Sequence, residues 1–123
     1  MSSSPFDADH LPVLDLECIR DLGEDLGNPA AARDFLATYL ELLPARLVAV
    51  MSTVSVRDSN AAMDRVISLK VSSSMAGALR LSALSAELEL MVRAAAWRSA
   101  DAALALLAEA AAAVQAEGSR AGF

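Results

Sequence analysis

One cysteine, one histidine and 4% aromatic residues are what this 123-residue chain has least of. Cys18 alone permits no disulfide within the chain. Together with His10 it cannot complete a Cys/His zinc site, so no metal and no cofactor are expected. Cys18 reads as a small hydrophobe packed on a helix. His10, in a period-free opening just before Pro12, reads as a solvated side chain. The shortage of aromatics, set against abundant alanine and leucine, excludes the usual core of a sandwich or barrel and favours close-packed helices. Basic residues are also scarce: ten, scattered, against sixteen acidic ones, for a net charge of −6. That balance excludes nucleic acid and anionic membrane surfaces as partners, since both need clustered Lys and Arg. No uninterrupted apolar run approaches the ~18 residues that cross a bilayer. Met1–Pro5 has neither the basic start nor the apolar centre of a signal peptide. The expectation is a cytoplasmic protein, away from membranes, whose business is with another protein.

What the chain does contain is helical periodicity, in one domain of ordinary size. Residues 1–12 read as a flexible tail. Asp15 is a candidate N-cap for a first helix from Leu16 to Leu26, stopped by Gly27. Asn28 then caps a second helix with Pro29 at its first position. This helix carries Phe35, Leu36, Tyr39, Leu40, Leu43, Leu47 and Val50, with Pro44 predicting a kink or local break. Asp58 or Ser59 caps a third helix that runs to about Met75 before Gly77. A fourth runs from Ala78 to about Ala95, with Leu81, Leu84, Leu88 and Val92 on one face. Ser99 is expected to cap a fifth, running to about Glu117, with an inner stripe of Ala100, Leu104, Leu107, Ala111 and Val114, closed by Gly118. Trp97 is expected to anchor the turn before it. Short connections predict an all-α fold: an antiparallel, up-down four-helix bundle with the short first helix added at its N-terminal end. The domain spans 13–118, with 119–123 frayed.

The third helix has two faces. Ala62, Val66, Leu69, Ser73 and Ala76 step by four and three and form a stripe suited to a core. Asn60, Asp64, Ile67, Lys70, Val71 and Ser74 follow the same rhythm on the opposite, polar side. Ile67 therefore stands in mid-helix on the wet face, near Met63 and Val71. Either it is an isolated exposed hydrophobe, which is ordinary, or it centres a small apolar docking patch rimmed by Asp64, Lys70 and Ser74.

From Val13 to Val114 the chain resembles the histidine-containing phosphotransfer domain of bacterial phosphorelays. The resemblance rests on Val13-Leu14-Asp15 through Leu22 to Gly27, then on Phe35-Leu36, Tyr39-Leu40, Leu43-Pro44 and Leu47. It rests above all on the run from Val66 to Ala78, followed by Leu81, Leu84, Leu88 and Glu89. This run aligns with the family signature A-H-x-L-K-G-S-S/A-x-x-x-G-A. The resemblance implies the helical-bundle fold and a place in two-component signalling. It also places Ile67 where the family carries its phosphorylated histidine, and Val71 where the family has a glycine that leaves room for a partner's active-site loop. Lys70, which in the family helps neutralise the phosphoryl group, is kept.

An imidazole nitrogen is the nucleophile that accepts and returns a phosphoryl group; isoleucine has no lone pair to offer. The expectation is therefore a protein with no catalytic residue, not an enzyme. It would dock on a response-regulator receiver domain or a histidine kinase through Met63, Asp64, Ile67, Lys70, Val71 and Ser74, as a monomer, without relaying phosphate. One alternative is phosphotransfer through a serine acceptor among Ser68, Ser72, Ser73 and Ser74, although no base lies within a turn of Ser74. Another is a structural bundle that self-associates through Leu106, Ala110 and Ala113. Glu87 and Glu89 stand on different helix faces and do not read as an acid/base pair.

Overall fold

The computed structural model describes residues 8–123. Among them are five helices: α1 (Leu16–Leu26), α2 (Pro29–Ser55), α3 (Ser59–Ala76), α4 (Leu79–Arg93) and α5 (Trp97–Arg120). No strand occurs among the described residues. α2 packs against α3 and α5, α4 packs against the same two, and α1 lies on α2 and α3. The shared core contains the inner stripe of α3 (Ala62, Val66, Leu69, Ser73, Ala76), that of α5, and Leu36, Tyr39, Leu43 and Val50 from α2.

Three helix starts follow from one chemistry. The side-chain oxygens of Asp15, Asn28 and Asp58 accept from the backbone N–H groups of Glu17, Ala31 and Ala61. Each satisfies a donor that the first turn leaves bare. α1 and α3 end on glycines in the left-handed region, Gly27 at φ 64° and Gly77 at φ 87°. Gly77 does more than turn the chain. Its carbonyl accepts from the Asp15 amide at 2.8 Å, and a Cβ on it would collide with the Asp15 carbonyl oxygen.

α2 runs unbroken through Pro44. Proline has no N–H to give the carbonyl four residues back, so Leu40 is left without its helical donor. The side-chain amide of Gln115, on α5, donates to that carbonyl at 2.7 Å. Beside it, Gly118 lies against the Leu40 side chain, where an added Cβ would be 2.7 Å from Cδ1.

That contact corrects the expectation that Gly118 closes α5. The glycine is buried inside the helix, which continues to Arg120. The start of α5 also differs from expectation. Ala96, not Ser99, is the N-cap, no side chain caps the helix, and the turn is made by Ala95 at φ 53°. Arg98 and Ser99 already belong to the first turn. Trp97 is half-buried against the core, with the Arg57 guanidinium 5.6 Å from its ring centroid. Arg57 also makes two 2.7 Å hydrogen bonds to Asp101, which hold that carboxyl below its usual range.

Of the tail expected over 1–12, residues 1–7 lie outside the described residues. Residues 8–12 are held rather than loose: Ala8 is buried, and Arg80 donates to the carbonyls of Asp9 and Leu11. At the other end Phe123 is half-buried, its amide on the Gly118 carbonyl and the Arg33 guanidinium 4.6 Å from its ring centroid. By length and composition alone α2 and α5 would also suffice to cross a membrane. Leu36, Leu43, Val50 and Val54 of α2 and Leu107 and Val114 of α5 are buried in the core, whereas Leu42, Val48, Met51 and Leu106 are exposed.

Candidate functional site

The outer face of α3 is where the sequence places its site, and the helix displays it as the two-stripe pattern requires. Ile67 is 36% exposed in mid-helix, with Val71 at 49% one turn on. Asp64 and Ser74 are exposed, whereas Met63 is half-buried and packs its apolar arm onto the core. Met75, not singled out from the sequence, is also exposed and extends the apolar strip toward Gly77. With all helix bonds in place, the strip from Ile67 to Met75 rises by roughly 12 Å.

Lys70 turns sideways. Its ammonium donates to Glu89 Oε1 on α4 at 2.6 Å, and Arg93 donates to the other carboxylate oxygen at 2.8 Å. Glu89 is 8% exposed, so the carboxylate sits in the α3–α4 seam between two cations. A charge in that position is stable only when paired. The sequence reading missed this role. The available signal was that Glu89 falls one turn after Ser85, on the inner face of α4. A second bond, Ser82 Oγ to the Lys70 carbonyl at 3.0 Å, fixes α4 beside the same turn of α3.

Two of the four serines are tied by hydrogen bonds, whereas Ser68 and Ser74 are exposed. Ser72 Oγ donates to the Ser68 carbonyl at 2.8 Å, which is ordinary back-bonding within a helix. Ser73 is buried and shares a 2.7 Å hydrogen bond with the Tyr39 hydroxyl. Burial pushes the Tyr39 phenol up to about 12. No carboxylate or imidazole bonds to Ser68, Ser72, Ser73 or Ser74 among the described residues. His10 is exposed in the segment that Arg80 holds at the start of α4. Ile67 lies ten residues before Gly77, roughly 15 Å along α3 from that corner.

Cys18 is half-buried, its thiol pushed up by burial and by nearby Asp15, Asp21 and Glu17, so it carries no activated thiolate. No group of three or more His, Cys, Asp or Glu able to hold a metal occurs among the described residues. On the α2 side of the strip, Leu42, Ala45, Arg46 and Ala49 face Arg65 and Ser68 across a cleft of about 250 Å³. No sequence pattern flagged this cleft, because it is made by two helices at positions unrelated in spacing.

The fold is that of the histidine-containing phosphotransfer proteins. A crystal structure with this arrangement, histidine-containing phosphotransfer protein B (HptB) from Pseudomonas aeruginosa PAO1, superposes with a TM-score of 0.77 at 24% sequence identity, covering 91% of this chain and 97% of that one. No protein-family model and no curated protein matches the sequence.

Proposed function

We propose that this chain is a phosphotransfer-like module that docks on a partner in two-component signalling, a receiver domain or a histidine kinase, and modulates it without relaying phosphate. In this reading α2–α5 form the antiparallel four-helix bundle, α1 is its N-terminal addition, and the protein works as a cytoplasmic monomer. The observation that carries the reading is Ile67. It occupies the family's phosphohistidine position by the resemblance, it is exposed in mid-α3, and it has no nucleophilic atom.

The neighbourhood supports the same reading. Val71 adds a branched side chain where the family has glycine, giving Ile67 an apolar neighbour instead of a gap. Met63 and Val71 would supply contact area, and Asp64, Ser74 and the Lys70 flank a polar rim. Against a serine acceptor, Ser72 and Ser73 are engaged in hydrogen bonds, and no carboxylate or imidazole among the described residues bonds to exposed Ser68 or Ser74. Ala110, suggested for self-association, is already 7% exposed within the chain's own fold, which leaves Leu106 and half-buried Ala113 as a thin surface for a second copy.

The test is a titration of purified receiver domains and kinase cores from the source organism against the wild-type protein and Ile67→Asp. The expected result is saturable binding lost on substitution, with an unchanged helical circular-dichroism spectrum. In parallel, no radiolabel should pass from a phosphorylated receiver to the wild-type protein. Acid-stable label on the protein would establish a serine acceptor instead.

A further inference from the structure

The chain is acidic overall, yet two of its ten cations converge without partners beside the Ile67 strip. Among the described residues Arg20, Arg57, Lys70, Arg93 and Arg120 are in ion pairs. Arg80 donates to backbone carbonyls and Arg33 lies over Phe123. Only Arg46, Arg65 and Arg98 have neither an ion pair, a hydrogen bond nor a ring partner there. Arg46 and Arg65 come from different helices and both line the cleft of about 250 Å³, whose other walls are Leu42, Ala45, Ala49 and Ser68. Leu42 is itself 42% exposed.

An apolar floor between two unpaired guanidiniums specifies its complement. Guanidinium groups bind carboxylates in planar, two-bond fashion, and arginine is favoured at interfaces over lysine because it is more weakly hydrated. In a molecule with net charge −6 the rest of the surface repels acidic partners, so a local basic notch also fixes where such a partner lands. We propose that the α2–α3 cleft binds an acidic segment of a partner protein: carboxylates taken by Arg46 and Arg65, and an intervening leucine-like side chain laid on Leu42, Ala45 and Ala49. The cleft borders the docking strip on its α2 side, since Ser68 follows Ile67 and stands one turn after Asp64. The proposal rests on the docking reading for the partner being a signalling protein, but not for the chemistry of the cleft.

The experiment is fluorescence anisotropy with a labelled helical peptide of glutamate and leucine, a glutamine-for-glutamate twin, and inorganic phosphate as competitor. The full chain should bind the glutamate peptide saturably. Arg46→Gln and Arg65→Gln should each weaken it about tenfold or more, while Arg98→Gln leaves it unchanged and all variants keep the wild-type melting curve. Equal binding of the glutamine twin, indifference to both cleft substitutions, or no saturable binding overturns the proposal. So does phosphate binding as tightly as the peptide, which marks a simple anion site. The two readings fail separately. If receiver domains bind through Ile67 while the cleft variants behave as wild type, the cleft is wrong. If the glutamate peptide needs both arginines but no receiver domain or kinase binds, the signalling partner is wrong.

Discussion

The Lys70 ammonium stands 2.6 Å from Glu89 Oε1, and Arg93 holds the other oxygen of that carboxylate at 2.8 Å. Lys70 is thus tied to the α3–α4 seam rather than extended over Ile67. Glu89→Ala should destabilise the protein by about 2 kcal/mol, less than the 3–5 typical of fully buried pairs because both cations can turn to water. Lys70→Met should cost under about 1 kcal/mol, because Arg93 still neutralises Glu89. Urea unfolding with an unchanged slope measures both. Equal losses for the two would mean that Arg93 contributes nothing.

Tyr39 gives a pH signature. Its phenol is neutral in the core, with its pKa raised to about 12 from the ordinary 10. The unfolded chain therefore loses this proton first, and stability falls as pH rises from 10 toward 12. The full contribution is present below pH 10, and on the order of 2 kcal/mol is lost across the window. Tyr39→Phe should remove that slope while costing about 1 kcal/mol at neutral pH, since Ser73 loses its buried partner. A slope that persists in Tyr39→Phe would assign it to other groups.

Gly77→Ala should be among the most damaging single-methyl changes in the chain. Both the positive φ and the Asp15 carbonyl oxygen oppose a Cβ there, and that oxygen is backbone that cannot rotate away. A loss of about 3 kcal/mol is expected. Gly27→Ala, at a similar φ but with open space around it, should cost only about 1 kcal/mol. Thermal melts of the pair separate the collision from the backbone strain.

Installing a histidine tests the assignment of Ile67. Ile67→His with Val71→Gly should accept acid-labile label from a phosphorylated receiver domain. Ile67→His alone should be slower by about tenfold or more, because in the proposed docking Val71 would fill the room that a partner's active-site loop needs. No transfer by the double variant, with its fold intact, would remove Ile67 from the site.

Much of this molecule could be read from the sequence, and the boundary follows physical range. Asp15, Asn28 and Asp58 act on amides two or three residues away, so their caps are legible in a linear string. The five inner positions of α3 repeat at helical spacing and are all buried as expected. The start of α5 is not legible, because Ala95 makes its turn with no glycine or proline to mark it. The role of Gly118 is hidden too, because its reason for being glycine is a leucine on another helix. The pairing of Lys70 with Glu89 and the meeting of Arg46 with Arg65 depend on which helices become neighbours. Composition and periodicity carry no such information.

Alanine-rich helix faces are self-similar: one turn of methyl groups looks like the next, and little in them prevents a slide by a turn. Leu40 supplies the missing landmark. Pro44 strips its carbonyl of a donor, Gln115 covers that oxygen, and Gly118 makes room for the leucine side chain. Sliding α5 by one turn, roughly 5.4 Å, would in one direction put Ala111 against the bare carbonyl and Val114 against the leucine. In the other direction it would offer the carbonyl Ser119, whose side chain is shorter than glutamine's, and bring the leucine to Gly122, beyond the helix end at Arg120. A proline that weakens α2 on its own thus selects a single axial position for α5.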